Sequence, residues 1–301
     1  MKDIKSVLKF IGSAKYYILL FIVAFILSFR MWFPDAKVAK GLFDNIKAQT
    51  GIIIEADSPS FSFVPYFGVN FDSAKLRFAE NGKNIILGKT RIAISPLSIL
   101  ILSPALKIDS ESFNGTFQIK IGGFSMTGAP IDELYVKLYA VDIQLKDIIE
   151  PQFSADIMAK TDVNLEGYLN LRDIMYSDLD AEVVLTDIKS VPGSSIGFFV
   201  LPAFSLKKGE ISLQLQKNDL TVGKLILGGA GEALDASARG KWSSKSGQYE
   251  FTIKLKLAGD LEKAVGSFTA FLPPASKKPD GYYNFRLNGD PKLTIPNITP
   301  L

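Results

Sequence analysis

The sequence predicts a mainly β fold: an N-terminal transmembrane helix, an amphipathic helix, then a long antiparallel meander folded into a sandwich or an open groove. Three observations predict it. One continuous apolar run occupies residues 16–33. A helical period follows it over 34–50. From residue 52 onward the period is two, with turn signals roughly every ten residues.

The apolar run, Tyr16 to Phe33, carries no charge in the 14 residues between Lys15 and Arg30. At the helical rise it reaches roughly 27 Å, close to the hydrocarbon thickness of a bilayer. Tyr16, Tyr17 and Trp32 stand at its two ends, where amphipathic rings favour the interface. Leu20, Ile22, Phe25 and Leu27 fill the span, and Arg30 is near enough to the end to bend toward the headgroups. Lys2, Lys5, Lys9 and Lys15 precede it, which places residues 1–15 in the cytoplasm. Ser28-Phe29-Arg30-Met31-Trp32 lacks the small residues of a signal-peptidase site. The run is therefore read as a retained anchor, single-pass in the inner membrane, with the bulk of the chain periplasmic if the source is Gram-negative.

Pro34 suits the first turn of a helix. Val38, Leu42 and Ile46 then recur at helical spacing beside Ala39 and Phe43, and Thr50-Gly51 ends the segment. The expectation is that this helix packs on the strands that follow.

The strands come next. Ile52 to Ile54 begins the series, and Val69 and Phe71 share a face. The phase slips near Ser73 before Ala74, Leu76 and Phe78 resume it. Asn81-Gly82 predicts a hairpin into Ile85 to Leu87, and Arg91 to Ile94 is a further short strand. Pro96 to Pro104 breaks the pattern and reads as a short apolar helix plugging the end of a sheet, or as a buried strand. Phe113, Gly115, Phe117 and Ile119 alternate with polar residues, as do Leu134, Val136 and Leu138. Lys146 to Glu150 suggests one helical turn. Later strands carry Val163, Leu165, Gly167 and Leu169; Ala181, Val183 and Leu185; Ile211, Leu213 and Leu215; Phe251, Ile253, Leu255 and Leu257; and Tyr283, Phe285 and Leu287. Ser276 to Asp280 is expected to be a flexible loop. Residues 51–290 form the β domain, and the proline-containing 291–301 an extended tail.

Each strand has one apolar face. Val163, Leu165, Ile211, Leu213, Leu215, Phe251, Ile253 and Leu255 lie on it, and a groove built from that face would hold acyl chains. With little helix after residue 50, the sheet is expected to cover its own apolar face, either by filling it as a sandwich or by curling it into a trough.

Composition excludes much chemistry. The 301 residues contain no histidine and no cysteine. That removes Ser-His-Asp and Cys-His catalysis, the usual zinc sites and any disulfide framework. A net charge of +3 is too small to indicate nucleic acid. Paired acids occur at Asp132-Glu133 and at Asp178 and Asp180, in apparent turns, where a solvated edge is the better reading than glycoside hydrolysis. The runs Gly122-Gly123 and Gly228-Gly229-Ala230-Gly231 lack the Lys-Ser/Thr of a phosphate loop and read as turns. No catalytic, cofactor-binding or metal-binding residue is expected.

The order of elements resembles a known group. A basic start, one anchor, Phe33-Pro34, an amphipathic helix ending at Thr50-Gly51 and a strand open the chain as in AsmA-like proteins. Within that group the pattern is similar to the general secretion pathway protein N family (GspN), in its delta-proteobacterial form. Ile94-Ser95-Pro96-Leu97-Ser98-Ile99-Leu100 followed by Leu106-Lys107-Ile108, the run Ala233 to Lys241, and the closing Tyr283 to Lys292 carry the likeness. The resemblance implies a non-enzymatic inner-membrane component of the type II secretion system, facing the periplasm and meeting other secretion-system proteins. The wider group implies the alternative: a lipid-binding or lipid-transfer module for envelope biogenesis, with phospholipid as the partner.

Overall fold

Among the described residues nineteen strands dominate, and fourteen of them join one antiparallel sheet. The structure is a computed structural model that describes residues 20–21, 24, 28, 34–50, 52–62, 67–78, 84–94, 105–123, 132–145, 157–191, 193, 195–196, 199–200, 202–290 and 297–301. Of the anchor reading, only Leu20, Phe21, Ala24 and Ser28 fall within them, all in helical conformation. Tyr16, Tyr17, Ile22, Phe25, Leu27, Arg30 and Trp32 lie outside the described residues, as do Pro96 to Pro104 and Lys146 to Glu150. Among the described residues no helix is long and apolar enough to cross a membrane.

Helix α1 spans Asp35–Thr50. Its Ala39 is fully buried and Phe43 half-buried, whereas Val38 is 40% exposed. β1 (Ile52–Asp57), β4 (Ser73–Phe78) and β5 (Asn84–Leu87) form a separate three-stranded sheet in the order β1-β4-β5. β2 (Ser60–Ser62) and β3 (Phe67–Phe71) belong to the large sheet. The phase slip at Ser73 is thus a change of sheet: Asp72 separates β3, which pairs with β6 (Thr90–Ile94), from β4, which pairs with β1.

The large sheet then adds its strands in chain order. They are β7 (Leu106–Ser112), β8 (Gly115–Gly122), β9 (Glu133–Gln144), β10 (Ile157–Asn170) and β11 (Asp178–Ser190). After a small hairpin of β12 (Ser195–Ile196) and β13 (Phe199–Val200) come β14 (Ser205–Gln216), β15 (Asp219–Gly228), β16 (Leu234–Ser243), β17 (Tyr249–Leu257), β18 (Tyr283–Gly289) and β19 (Asn297–Pro300). Every neighbouring pair is antiparallel, and β2 and β19 are the two edges. Two short helices, α2 (Gly259–Ala264) and α3 (Gly266–Thr269), interrupt the path from β17 to β18.

Three expectations are corrected. Phe113 is not in a strand: it and Asn114 adopt φ of 58° and 59°, the left-handed pair that a tight hairpin turn needs between β7 and β8. Ser276 to Asp280 is tied down, because Ser276 is fully buried and the Lys278 N–H donates to the Tyr282 carbonyl at 2.8 Å. The terminal tail ends as a strand, since Asn297–Pro300 pair with Phe285 to Asn288 and extend the sheet beyond residue 290.

Bulges interrupt the middle of the sheet. Asp142 and Asp187 take φ of 57° and 53°, and the pairing register shifts beside each. The Asp142 N–H donates to Asp162 Oδ1 at 2.8 Å, which satisfies the bulged residue. Two further shifts flank Gly223 and Lys224 in β15. Bulges bend a strand and raise its twist, so this line of them curves the sheet.

Two clusters are buried. In the first, Ala39 of α1 and Ala74 and Leu87 of the small sheet close over Phe61, Val69 and Phe71 of the large one. The second gathers Ala159, Leu185, Ile188 and Leu206, with Phe204 and Leu145 against them.

Candidate functional site

Side chains on a strand alternate between faces, so pairing register decides which residues of different strands stand together. Across β10 to β18, one row runs Val163, Val183, Ile211, Leu225, Ala238, Ile253 and Phe285. The next row runs Leu165, Ala181, Leu213, Val222, Gly240, Phe251 and Leu287. Leu215 extends the face toward the Lys217-Asn218 turn, and Leu255 extends it the other way, opposite Ala236. All eight residues expected on the apolar face from alternation alone therefore share one face of one sheet.

Their burial differs from that of the first cluster. Each of the eight is half-buried, whereas Val69 and Phe71 are 4% and 3% exposed. In these two rows only Phe285 is buried. A strand residue flanked by neighbours on its own sheet loses part of its water-accessible area. It falls to a few per cent only when something packs on top of it. The rows lie between these two cases, less exposed than the outward-facing Asn164, Glu182 and Lys254 and less buried than Val69 and Phe71.

The opposite face is polar and closely paired. Glu210 on β14 forms ion pairs with Lys208 and Lys224, and the two ammonium groups hold its carboxyl down at about 2. Lys137 and the Tyr135 hydroxyl both donate to Glu166. These donors lower the Glu166 pKa, and the carboxylate in turn raises those of Tyr135 and Lys137. The Tyr282 hydroxyl donates to Asp235 Oδ2 at 2.6 Å, which raises the phenol pKa. Arg286 pairs with Glu250 at 3.4 Å. The contacts through Lys224, Lys137, Tyr135 and Arg286 are cross-strand and fix register on the solvated side.

Asp178 and Asp180 lie in β11, at outward-facing positions, and not in a turn. Asp132 pairs with Arg172 at 2.6 Å. Among the described residues no group of three acidic side chains is placed to hold a metal ion. Gly228 and Gly231 both take positive φ in the turn from β15 to β16.

One surface feature was missed by alternation. The connection from β10 to β11 exposes Leu171, Ile174 and Tyr176 by 51–57%. The signal in the sequence is the segment Leu171-Arg172-Asp173-Ile174-Met175-Tyr176, apolar where a turn usually carries Gly, Asn or Ser.

No protein family matches the chain, and no curated protein or solved structure matches it either.

Proposed function

We propose that the chain is a non-enzymatic β-groove that binds acyl chains of phospholipid on its apolar face, held at the inner membrane by the segment 16–33 and exposed to the periplasm. The observation that carries this reading is the pair of apolar rows from β10 to β18, aligned by register and left half-buried where Val69 and Phe71 are covered. Apolar area left in water costs about 25 cal/mol per Å², so a chain of this length gains by covering it. The bulges at Asp142 and Asp187 supply the curvature a trough needs. Hydrocarbon fits such a surface without any catalytic group. The reading agrees with the AsmA-like resemblance, whose wider group it follows.

The test compares full-length protein with its Leu213→Glu and Ile253→Glu variants, purified in the same detergent, by mass spectrometry of organic extracts. Both positions are half-buried, so the fold tolerates the change better than at Val69. The anchor is common to all three, so its own lipid cancels. Stoichiometric phospholipid in the wild type, lost from both variants, supports the groove; equal lipid in all three contradicts it.

A second reading follows the narrower resemblance: a component of the type II secretion system acting through protein contacts. The feature favouring it is the polar face, where β10 and β11 present Asp162, Glu166, Asp178, Asp180 and Glu182. Reversing Asp178 and Asp180 to lysine would impair secretion on this reading and leave bound lipid unchanged.

A further inference from the structure

The turn between β10 and β11 has a composition at odds with its position. Four large side chains within nine residues are more than half exposed: Tyr168 at 54%, Leu171 at 51%, Ile174 at 57% and Tyr176 at 55%. Single exposed apolar residues are ordinary, but a contiguous group marks a contact surface.

The group is held rigidly. Asn170 Oδ1 accepts from the N–H groups of Arg172 and Asp173 at 2.9 and 3.0 Å. Asp173 caps the single 3-10 turn Ile174–Tyr176, its Oδ1 accepting from Met175 N–H at 2.9 Å. The fully buried Ser177 accepts from Asn170 N–H, and the Met175 carbonyl accepts from Asn218 N–H of the neighbouring hairpin at 2.7 Å. Tyr168 is braced edge-on by Tyr135, ring centroids 5.6 Å apart. The exposure is thus built into the local structure and is not the result of a loose loop.

We propose that this turn dips into the interface of a lipid bilayer. The order of side chains fits that partner. Leu171 and Ile174, both aliphatic, occupy the turn, while the two tyrosines flank it. Aliphatic groups favour the acyl region, and tyrosine favours the headgroup level. Arg172 and Asp173 bring the turn to zero net charge, and Arg172 is engaged by Asp132. The turn itself carries no basic patch, so insertion depends on apolar contact. The turn also adjoins the apolar face, since β10 and β11 supply Leu165, Leu169, Leu179 and Ala181 to it. It touches the rim and not the rows themselves, so the inference stands or falls separately from lipid binding in the groove.

The chain contains no cysteine, which makes single-site labelling direct. Full-length Ile174→Cys carries an environment-sensitive nitrobenzoxadiazole dye and is reconstituted in phosphatidylcholine nanodiscs. Phosphatidylcholine vesicles are then added, with doxyl-labelled lipid in the discs in one experiment and in the vesicles in another. Lys245→Cys, on the exposed hairpin between β16 and β17, is the control. Quenching at residue 174 several-fold above that at 245, from either bilayer, is the expected result. Adding Leu171→Asp should bring it down to the control level with an unchanged circular dichroism spectrum. Quenching no greater at 174 than at 245 overturns the proposal, as does an enhancement that survives Leu171→Asp.

Discussion

The two ends of the large sheet treat the same alternating pattern differently. Over β2, β3 and β6, helix α1 and the small sheet cover the apolar face, and Phe61, Val69 and Phe71 fall to 3–5% exposure. From β10 to β18 the residues are just as apolar and the register just as regular, yet the face stays half-buried. The difference is therefore not hydrophobicity. It lies in which segments the chain supplies as a second layer. Among the described residues, only the N-terminal end has a helix of four turns and three extra strands beside it. Farther along, cover among the described residues is local: Phe204 and Leu145 over Ala159, Leu185 and Leu206. The same alternating pattern is thus fully buried at one end of the sheet and half-buried along the other.

Substitutions separate these regions by size of effect. Phe71→Ala should cost about 3–5 kcal/mol, because a buried ring leaves a cavity between two layers; urea unfolding of the full chain in detergent measures it. A loss below that of an apolar-row variant would break the distinction between the covered and uncovered ends. Gly167→Ala should come next. Gly167 holds φ of +151°, and an added Cβ would lie 2.0 Å from the Asp178 carbonyl oxygen. Prising β10 from β11 in this way should cost about 1–3 kcal/mol, read in the same unfolding curves.

In the open rows, Ile211→Ala should cost only about 1 kcal/mol, since half-burial withdraws only part of the side chain from water. Its clearer consequence should be less bound phospholipid in organic extracts. Equal costs for Phe71→Ala and Ile211→Ala would mean that the rows are covered after all.

The smallest effect is electrostatic and belongs to the polar face. Glu210 titrates at about 2 in the folded chain, against an ordinary 4.5. A folded value below the unfolded one adds stability that is complete above about pH 4.5 and disappears as pH falls through about 2. The Lys208 and Lys224 partners are half or more exposed, so salt should weaken the effect. Unfolding midpoints measured between pH 5 and pH 2 should fall less steeply for Glu210→Gln than for the wild type.

Much of this was legible in the residues. Alternation placed Val163, Ile211 and Ile253 on one face because the side-chain period of a strand is two whatever its neighbours are. What alternation does not encode is partnership. The slip at Ser73 marked a break but not that β3 and β4 enter different sheets. The prolines of the C-terminal segment pointed away from a strand, yet an edge needs only one side of its hydrogen bonds, and Asn297–Pro300 fits there. Phe113 looked like a strand residue because its bulk fits one, while the two-residue connection forced it into a left-handed turn. Whether the apolar face is covered depends on curvature and on distant segments, and no local pattern carries that. The Leu171 to Tyr176 turn was visible as composition but not as exposure.

The most direct test of the open face uses light. A photoreactive benzophenone residue is placed at Ile211 or Ile253 on the apolar face, or at Gln214 or Lys254 on the opposite one. Cells are irradiated, the full chain is purified, and its mass is measured. The account predicts adducts of phospholipid mass at 211 and 253 and none at 214 and 254. Adducts of protein alone at 211 and 253, or no adduct there, would contradict it.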